Sequence, residues 1–415
     1  MKSRFIRLAA KSLASMRRTH STRASGKPTG IAGGLVGLLL AWLACLPPAQ
    51  GQKLVLTATN GAARIGWFSV PGQSYQLQWA AEVNTKISWF DLGLPVVGTG
   101  TTNYISDPVV GNRRFYRVLR RGRQVWETVA NMPTERDSLG AAAGADGRIY
   151  AIGGEPAGGF LDTVEAYTPG TPGSWATMAS MPTPRYDLAV VAGKDGRIYA
   201  MGGFAPEVVA TLEVYTPSTD SWETKASMPT ARGWLSAAAG PDGRIYAIGG
   251  VDVSNNALAT VEVYTPSSDS WATATSMPTA RAGFAAATTA DRLTTYAVGG
   301  WGATWLPLNT LEVFTPNAGA GTWATKAVMP SWRGQLSAAA SADGLIYAIG
   351  GFNGFENLST VEAYTPVTDS WVTVPDLPTT RADLAAATGA DGRIYAIGGQ
   401  DGTVVVGEKV EVYTP

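Results

Sequence analysis

From residue 124 onward the chain repeats a unit of about 49 residues six times, and few folds accommodate that period. "DGRIYAIGG" stands at 146–154, 242–250 and 391–399, with "DGRIYAMGG" at 195–203 and "DGLIYAIGG" at 343–351. A looser copy, "DRLTTYAVGG", spans 291–300, and its second strand starts one residue longer. The Gly pairs begin at 153, 202, 249, 299, 350 and 398. Phrases like "VEVYTP" follow at 164, 212, 261, 311, 361 and 410, and tryptophans recur at 126, 175, 222, 271, 323 and 371.

Each unit parses into four strands. An Ala-rich apolar run such as "LSAAAG" (235–240) leads through Asp-Gly into "RIYAIGG". Asp-Gly between apolar runs is a strong hairpin signal, because both turn residues tolerate positive φ. "TVEVYT" alternates as a third strand and "SWETKASMP" supplies a fourth. Small Ala side chains suit the crowded innermost position of a radial array. Four-stranded units at this period predict an all-β fold, a six-bladed β-propeller over 124–415.

The tryptophans are out of step with the Gly pairs by one unit. Trp126 precedes the first pair, and no tryptophan follows the last "VEVYTP". The segment 125–132 is therefore expected to pair with 409–414 and close the ring, leaving no open sheet edge.

Residues 52–121 lie outside the repeat. "KLVLTAT", "ARIGWFSV", "SYQLQWAAE", "WFDLG", "TNYISDP" and "RFYRVLR" alternate between turn residues, as the strands of a small β-sandwich do. Residues 1–51 read as an export signal. Eight Lys/Arg and no Asp/Glu occur there, with the apolar run "IAGGLVGLLLAWLACL" (31–46) and a small-x-small site ending at Gly51. A membrane anchor and a lipidated Cys45 are the alternatives. Cleavage after Gly51 leaves no stable membrane span in the mature chain, whose address is secreted, periplasmic or cell-surface.

Removal of that segment changes the chemistry available. The one Cys (Cys45) and the one His (His20) both fall inside it. The body of the protein then excludes a Ser-His-Asp triad, a His-ligated metal and a thiolate nucleophile, and no cofactor is expected. The remaining 24 basic and 32 acidic side chains give a net charge of about −8, which argues against nucleic acid. The Gly pairs end strands and open no helix, so they are not phosphate loops.

The Gly-Gly pair followed by spaced Tyr and Trp resembles the kelch repeat, and the likeness covers 124–415. The run "PGQSYQLQWAAEVNTKISWFDLG" within 52–121 resembles fibronectin-like modules of exported bacterial proteins, which names no ligand. The kelch resemblance implies that the connection before strand one and the loop between strands two and three share a face. It sets Arg136, Arg185, Arg232, Arg281, Arg333 and Arg381 of "MPT.R" near that mouth, where such proteins often use arginine to bind acidic ligands. The competing expectation is framework, with these arginines paired to Glu165, Glu213, Glu262, Glu312, Glu362 and Glu411.

Two residues beyond each Arg the units differ: Ser138, Asp187, Trp234, Gly283, Gln335 and Asp383. This variable, mixed polar and aromatic position suits a ligand pocket. Aromatics also gather on the fourth and fifth units at Trp301, Trp305, Trp332, Phe352 and Phe355, as platforms for sugar rings or apolar peptide side chains. The regular tryptophans such as Trp222 and Trp271 are expected in the core between blades. Together these features predict an exported binding module for a glycan or an exported protein. The alternative is a carbohydrate isomerase of the kind the resemblance brings in, the sialic-acid mutarotases, working through Asp187, Asp383 or Glu356 beside arginine. Copper radical oxidases of kelch type need a Cys-linked Tyr and His ligands, absent here. A third reading is a structural repeat protein whose channel is filled by alanine.

Overall fold

The computed structural model describes the strands between residues 54 and 120. From residue 125 onward it describes all but 157–158, 171–172, 291, 318, 343 and 403–406. The export signal predicted over 1–51 lies outside these residues. Among the described residues no helix is long and apolar enough to cross a membrane.

Residues 54–120 form two antiparallel sheets. Leu54–Thr59, Ala62–Phe68 and Thr102–Asp107 make one; Ser74–Ala80 pairs with Phe90–Asp91, Val96–Val97 and Phe115–Arg120 in the other. Ile65 and Trp67 of the first sheet and Tyr75 and Leu77 of the second are fully buried. The Trp67 and Tyr75 rings lie 6.3 Å apart, joining the two inner faces as a sandwich requires.

The repeats build six four-stranded antiparallel blades. Blades 1 to 5 span Gly140–Met178, Ala189–Lys225, Ser236–Ala274, Ala285–Lys326 and Ser337–Val374. Blade 6 takes three strands from the C-terminus, Ala385–Thr388, Ile394–Ile397 and Val410–Thr414. Its fourth is Val125–Thr128, paired in register Tyr413↔Trp126 and Thr414↔Val125. The out-of-step tryptophan thus marks the clasp of the ring.

Burial follows from the radial stack. The second strands, "IYAI" and its variants, are buried along their whole length because a blade covers each face. Six apolar clusters fill the six seams, each drawn from two adjacent blades. At every seam a regular tryptophan donates its indole N–H to the neighbouring blade: Trp175 to Ala130, Trp222 to Ala179, Trp271 to Ala226, Trp323 to Thr275, Trp371 to Ala327. Trp126 completes the circle on the Pro375 carbonyl at 2.9 Å.

Antiparallel order fixes two faces. Strand one runs from the mouth to the far side, so the connection entering it and the loop between strands two and three both open at the mouth. The Asp-Gly hairpins lie opposite. The first glycine of each pair sits where chains from adjacent blades nearly touch. Gly153 has φ +64°, and a Cβ there would stand 2.5 Å from the Arg185 carbonyl of blade 2.

Candidate ligand site at the propeller mouth

The six repeat arginines are buried framework, fully shielded from solvent. Each pairs with the regular glutamate of its own blade. Arg185–Glu213 is 2.8 Å, Arg232–Glu262 3.0 Å, Arg281–Glu312 3.0 Å, Arg333–Glu362 2.7 Å and Arg381–Glu411 2.5 Å, and Arg136 binds Glu165 likewise. Each glutamate also accepts from the Thr or Ser two residues before the Arg, on its second oxygen in five blades, as with Thr183 and Glu213 at 2.7 Å, and on the shared Oε2 from Ser331. The Nη1 group of each arginine reaches backbone carbonyls, for Arg333 those of Gly350 and Thr360, while the Nε of Arg281, Arg333 and Arg381 is buried without a partner. Burial pulls the guanidinium pKa values down, and the paired glutamates oppose that. The expectation that these six arginines bind ligand is therefore corrected: no face of them is open. They tie strand one, strand three and the Gly pair of each blade together.

The variable position has a different role. All six residues there take left-handed backbone, with φ between 49° and 54°. Each donates its N–H to the carbonyl of its counterpart in the preceding blade, from Asp187 onto Ser138 at 2.8 Å round to Ser138 onto Asp383 at 2.9 Å. The result is a closed ring of six backbone hydrogen bonds about the axis. The side chains of this ring line the mouth.

Above the ring a cavity of about 380 Å³ is lined by Asp137, Ser138, Glu155, Pro156, Tyr186, Asp187, Trp234, Gln335, Asp383 and Gln400. A narrower space of about 170 Å³ continues between the alanines of the inner strands. At the far end lies a third, about 250 Å³, where Arg292 reaches across to the Ala192 carbonyl of blade 2 at 2.9 Å. Arg292 stands in the longer hairpin of blade 4, so that departure from the repeat carries a side chain into the channel. Alanine alone does not fill the axis.

Asp187 and Asp383 are half-buried and open onto the cavity. Gln335 and Gln400 both donate to Asp383 Oδ2, at 2.8 and 3.0 Å. Loss of bulk solvation lifts Asp383 to about 7 against those bonds, with Asp137 and Glu155 adding repulsion. Burial, and then the charge of Asp383, hold Asp187 well above the carboxylate range, while hydrogen bonds with Ser138 and Trp234 oppose the rise. Burial raises Asp137 and Glu155 as well. No group of three or more acidic side chains among the described residues converges as metal ligands would.

An aromatic arc borders these acids. Phe160 stacks on Tyr186 at 5.2 Å, Tyr186 on Phe204 at 5.2 Å, Phe204 meets Trp234 edge-on at 5.8 Å, and Trp234 meets Trp305 at 5.9 Å. The wall therefore runs over blades 1 to 4, not over four and five. Of the predicted aromatics Trp305 joins it. Trp301 instead lies on the Gly334 backbone, where a Cβ would fall 2.2 Å from its Nε1, and packs against Phe352. Trp332 and Phe355 are 62% and 95% exposed and stand outside the cavity lining. The structure thus brings Asp187, Trp234, Gln335 and Asp383 together as the sequence predicts. It adds Asp137, Glu155, Tyr186 and Gln400, which the sequence reading missed.

A family model for the kelch motif matches residues 185–229, 235–278 and 334–378. The chain is built on kelch motifs. The solved structure of YjhT aligns with a TM-score of 0.59 at 18% identity, over 69% of this chain and 96% of that one, which shows a shared fold. No curated protein matches significantly. Kelch motifs on a propeller are the architecture of a protein-interaction or binding module.

Proposed function

We propose that this protein is an exported binding module that takes a glycan or an exported protein into the mouth of its propeller. The observation that carries the reading is one cavity lined by Asp187, Asp383 and Trp234, the last a member of an aromatic arc. Flat apolar faces beside carboxylate acceptors suit sugar hydroxyls and C–H faces, and equally a peptide side chain. The alternative, a carbohydrate isomerase, draws support from the two carboxyl groups of Asp187 and Asp383 in one cavity. It lacks its other half, because the arginines that would stand against those acids are paired within the blades. The N-terminal sandwich serves this reading as an attachment module.

A glycan array probed with residues 52–415, alongside Trp234→Ala and Trp305→Ala, tests the proposal. Binding that weakens at least tenfold in both variants supports the mouth. Binding unchanged in both removes the aromatic arc from the argument. Exchange of sugar anomers, followed by NMR and lost in Asp187→Asn, would move the reading to the isomerase.

A further inference from the structure

The mouth reading above leaves the chemistry of the ligand open, and the balance of donors and acceptors narrows it. Four carboxyl groups, Asp137, Glu155, Asp187 and Asp383, line the cavity, and Asp137 repels the other three. Among the described residues no basic side chain lines it with them. Gln335 and Gln400 each give one N–H to Asp383, and Ser138 and Trp234 bond Asp187. The backbone N–H groups of the ring are consumed by the ring itself. A ligand therefore meets four carboxyl groups and no cation, which disfavours anions and favours a group that brings several N–H bonds and a positive charge.

The rim says how large that ligand is. Phe160, Trp305 and Leu306 are 38%, 37% and 65% exposed around the cavity, and Val253 and Phe355 on neighbouring loops are 76% and 95% exposed. A single sugar filling about 380 Å³ would not reach these outer loops. A protein segment would cover them.

We propose that the mouth docks a protruding loop or terminus of a partner protein, inserting one Lys or Arg side chain among Asp187, Asp383, Asp137 and Glu155 with its apolar neighbours on the Phe160–Trp305 arc. This rests on the mouth being the binding face. Charge complementarity chooses the partner: the cation relieves repulsion among the four carboxyl groups, and Trp234, whose aromatic neighbours meet it edge-on, adds cation–π attraction.

The test pans a phage-displayed library of random nonapeptides on residues 52–415 at pH 7.5, then titrates the enriched peptide in solution. The expected outcome is a Lys or Arg flanked by apolar residues in the enriched set. Replacing that cation by norleucine should weaken binding at least tenfold, as should Asp187→Asn with Asp383→Asn in the protein. Peptides that need Trp305 but bind equally with norleucine overturn the cation while keeping the mouth. Neutral or acidic winners, or a chain that binds a glycan on the array and enriches no peptide, overturn the inference. Peptides indifferent to both Trp305→Ala and the double Asn variant overturn the mouth reading as well.

Discussion

Asp383→Asn should make the propeller more stable at pH 8 and change its stability far less at pH 4.5. The backbone at 383 has φ +53°, a conformation Asn accepts as readily as Asp. The Asn carbonyl can still accept the Gln335 and Gln400 amides, so the local bonds survive. What disappears is a charge held away from bulk water beside Asp187, Asp137 and Glu155. The folded pKa of about 7 lies above the unfolded 3.8, so the folded state binds the extra proton between those values. Stability from this group is complete below about pH 4 and is lost as pH rises through about 7. At about 1.36 kcal/mol per pH unit the loss reaches at most about 4 kcal/mol, and water in the cavity reduces it to about 1–2 kcal/mol. Removing the charge then raises Tm by about 2–5 °C at pH 8. Thermal melts of both proteins from pH 4.5 to 8.5 measure the difference, which cancels contributions from every other carboxylate. A variant less stable than the parent at pH 8, or shifted equally at both ends, would refute the reasoning.

Arg232→Met leaves Glu262 buried without its partner and should cost about 3–5 kcal/mol in guanidinium unfolding, whereas Arg232→Met with Glu262→Leu should recover most of that. Deleting residues 125–132 removes the strand paired with Val410–Thr414 and the Trp126 bond to Pro375; the whole propeller should lose its cooperative melt and associate through the bared edge on size exclusion. Trp271→Ala should cost about 2–3 kcal/mol, since it empties part of a seam and strands the Ala226 carbonyl, while Trp332→Ala should stay within about 0.5 kcal/mol. Calorimetry of the two variants side by side separates seam from surface.

The blades and their closure were legible because each rests on local chemistry repeated six times. Asp-Gly turns, Gly pairs and alternating strands each imply one geometry, and Trp126 without a Gly pair before it implied the clasp. The arginines were ambiguous for a physical reason: a framework guanidinium and a ligand-binding one are the same residue at the same spacing. The Thr or Ser two residues before each Arg was the available discriminator, since it completes the shell of the buried glutamate and leaves nothing for a ligand. The acids at 137 and 155 were hidden in another way. At the seams of blades 2 with 3 and 4 with 5, a large residue after the Gly pair, Phe204 or Trp301, lies on a glycine after the next Arg, Gly233 or Gly334. The corresponding positions around blade 1 read Gln400 with Asp137 and Glu155 with Tyr186, large and polar on both sides. That break in a small-against-large pattern marks where side chains enter the mouth. It becomes visible only once neighbouring blades are placed next to one another.

The framework and the mouth treat polar groups in opposite ways. Around the ring every repeated cation meets its carboxylate, every regular indole meets a carbonyl, and the second glycine of each pair donates to the Arg carbonyl of the next blade, from Gly154 onto Arg185 round to Gly399 onto Arg136. Unfavourable features collect at the axis instead. Five non-glycine residues hold left-handed backbone there, each at a cost of about 1 kcal/mol or more, and two of the five are acids forced close to one another. Nothing in the closure of the ring requires acids at these positions, because its bonds are made by backbone alone and Gly283 serves as well. Like charge gathered on side chains that the scaffold does not need is a feature a cationic ligand relieves and packing does not, and in the binding reading proposed above it places specificity with the ring residues rather than with the arginines around them.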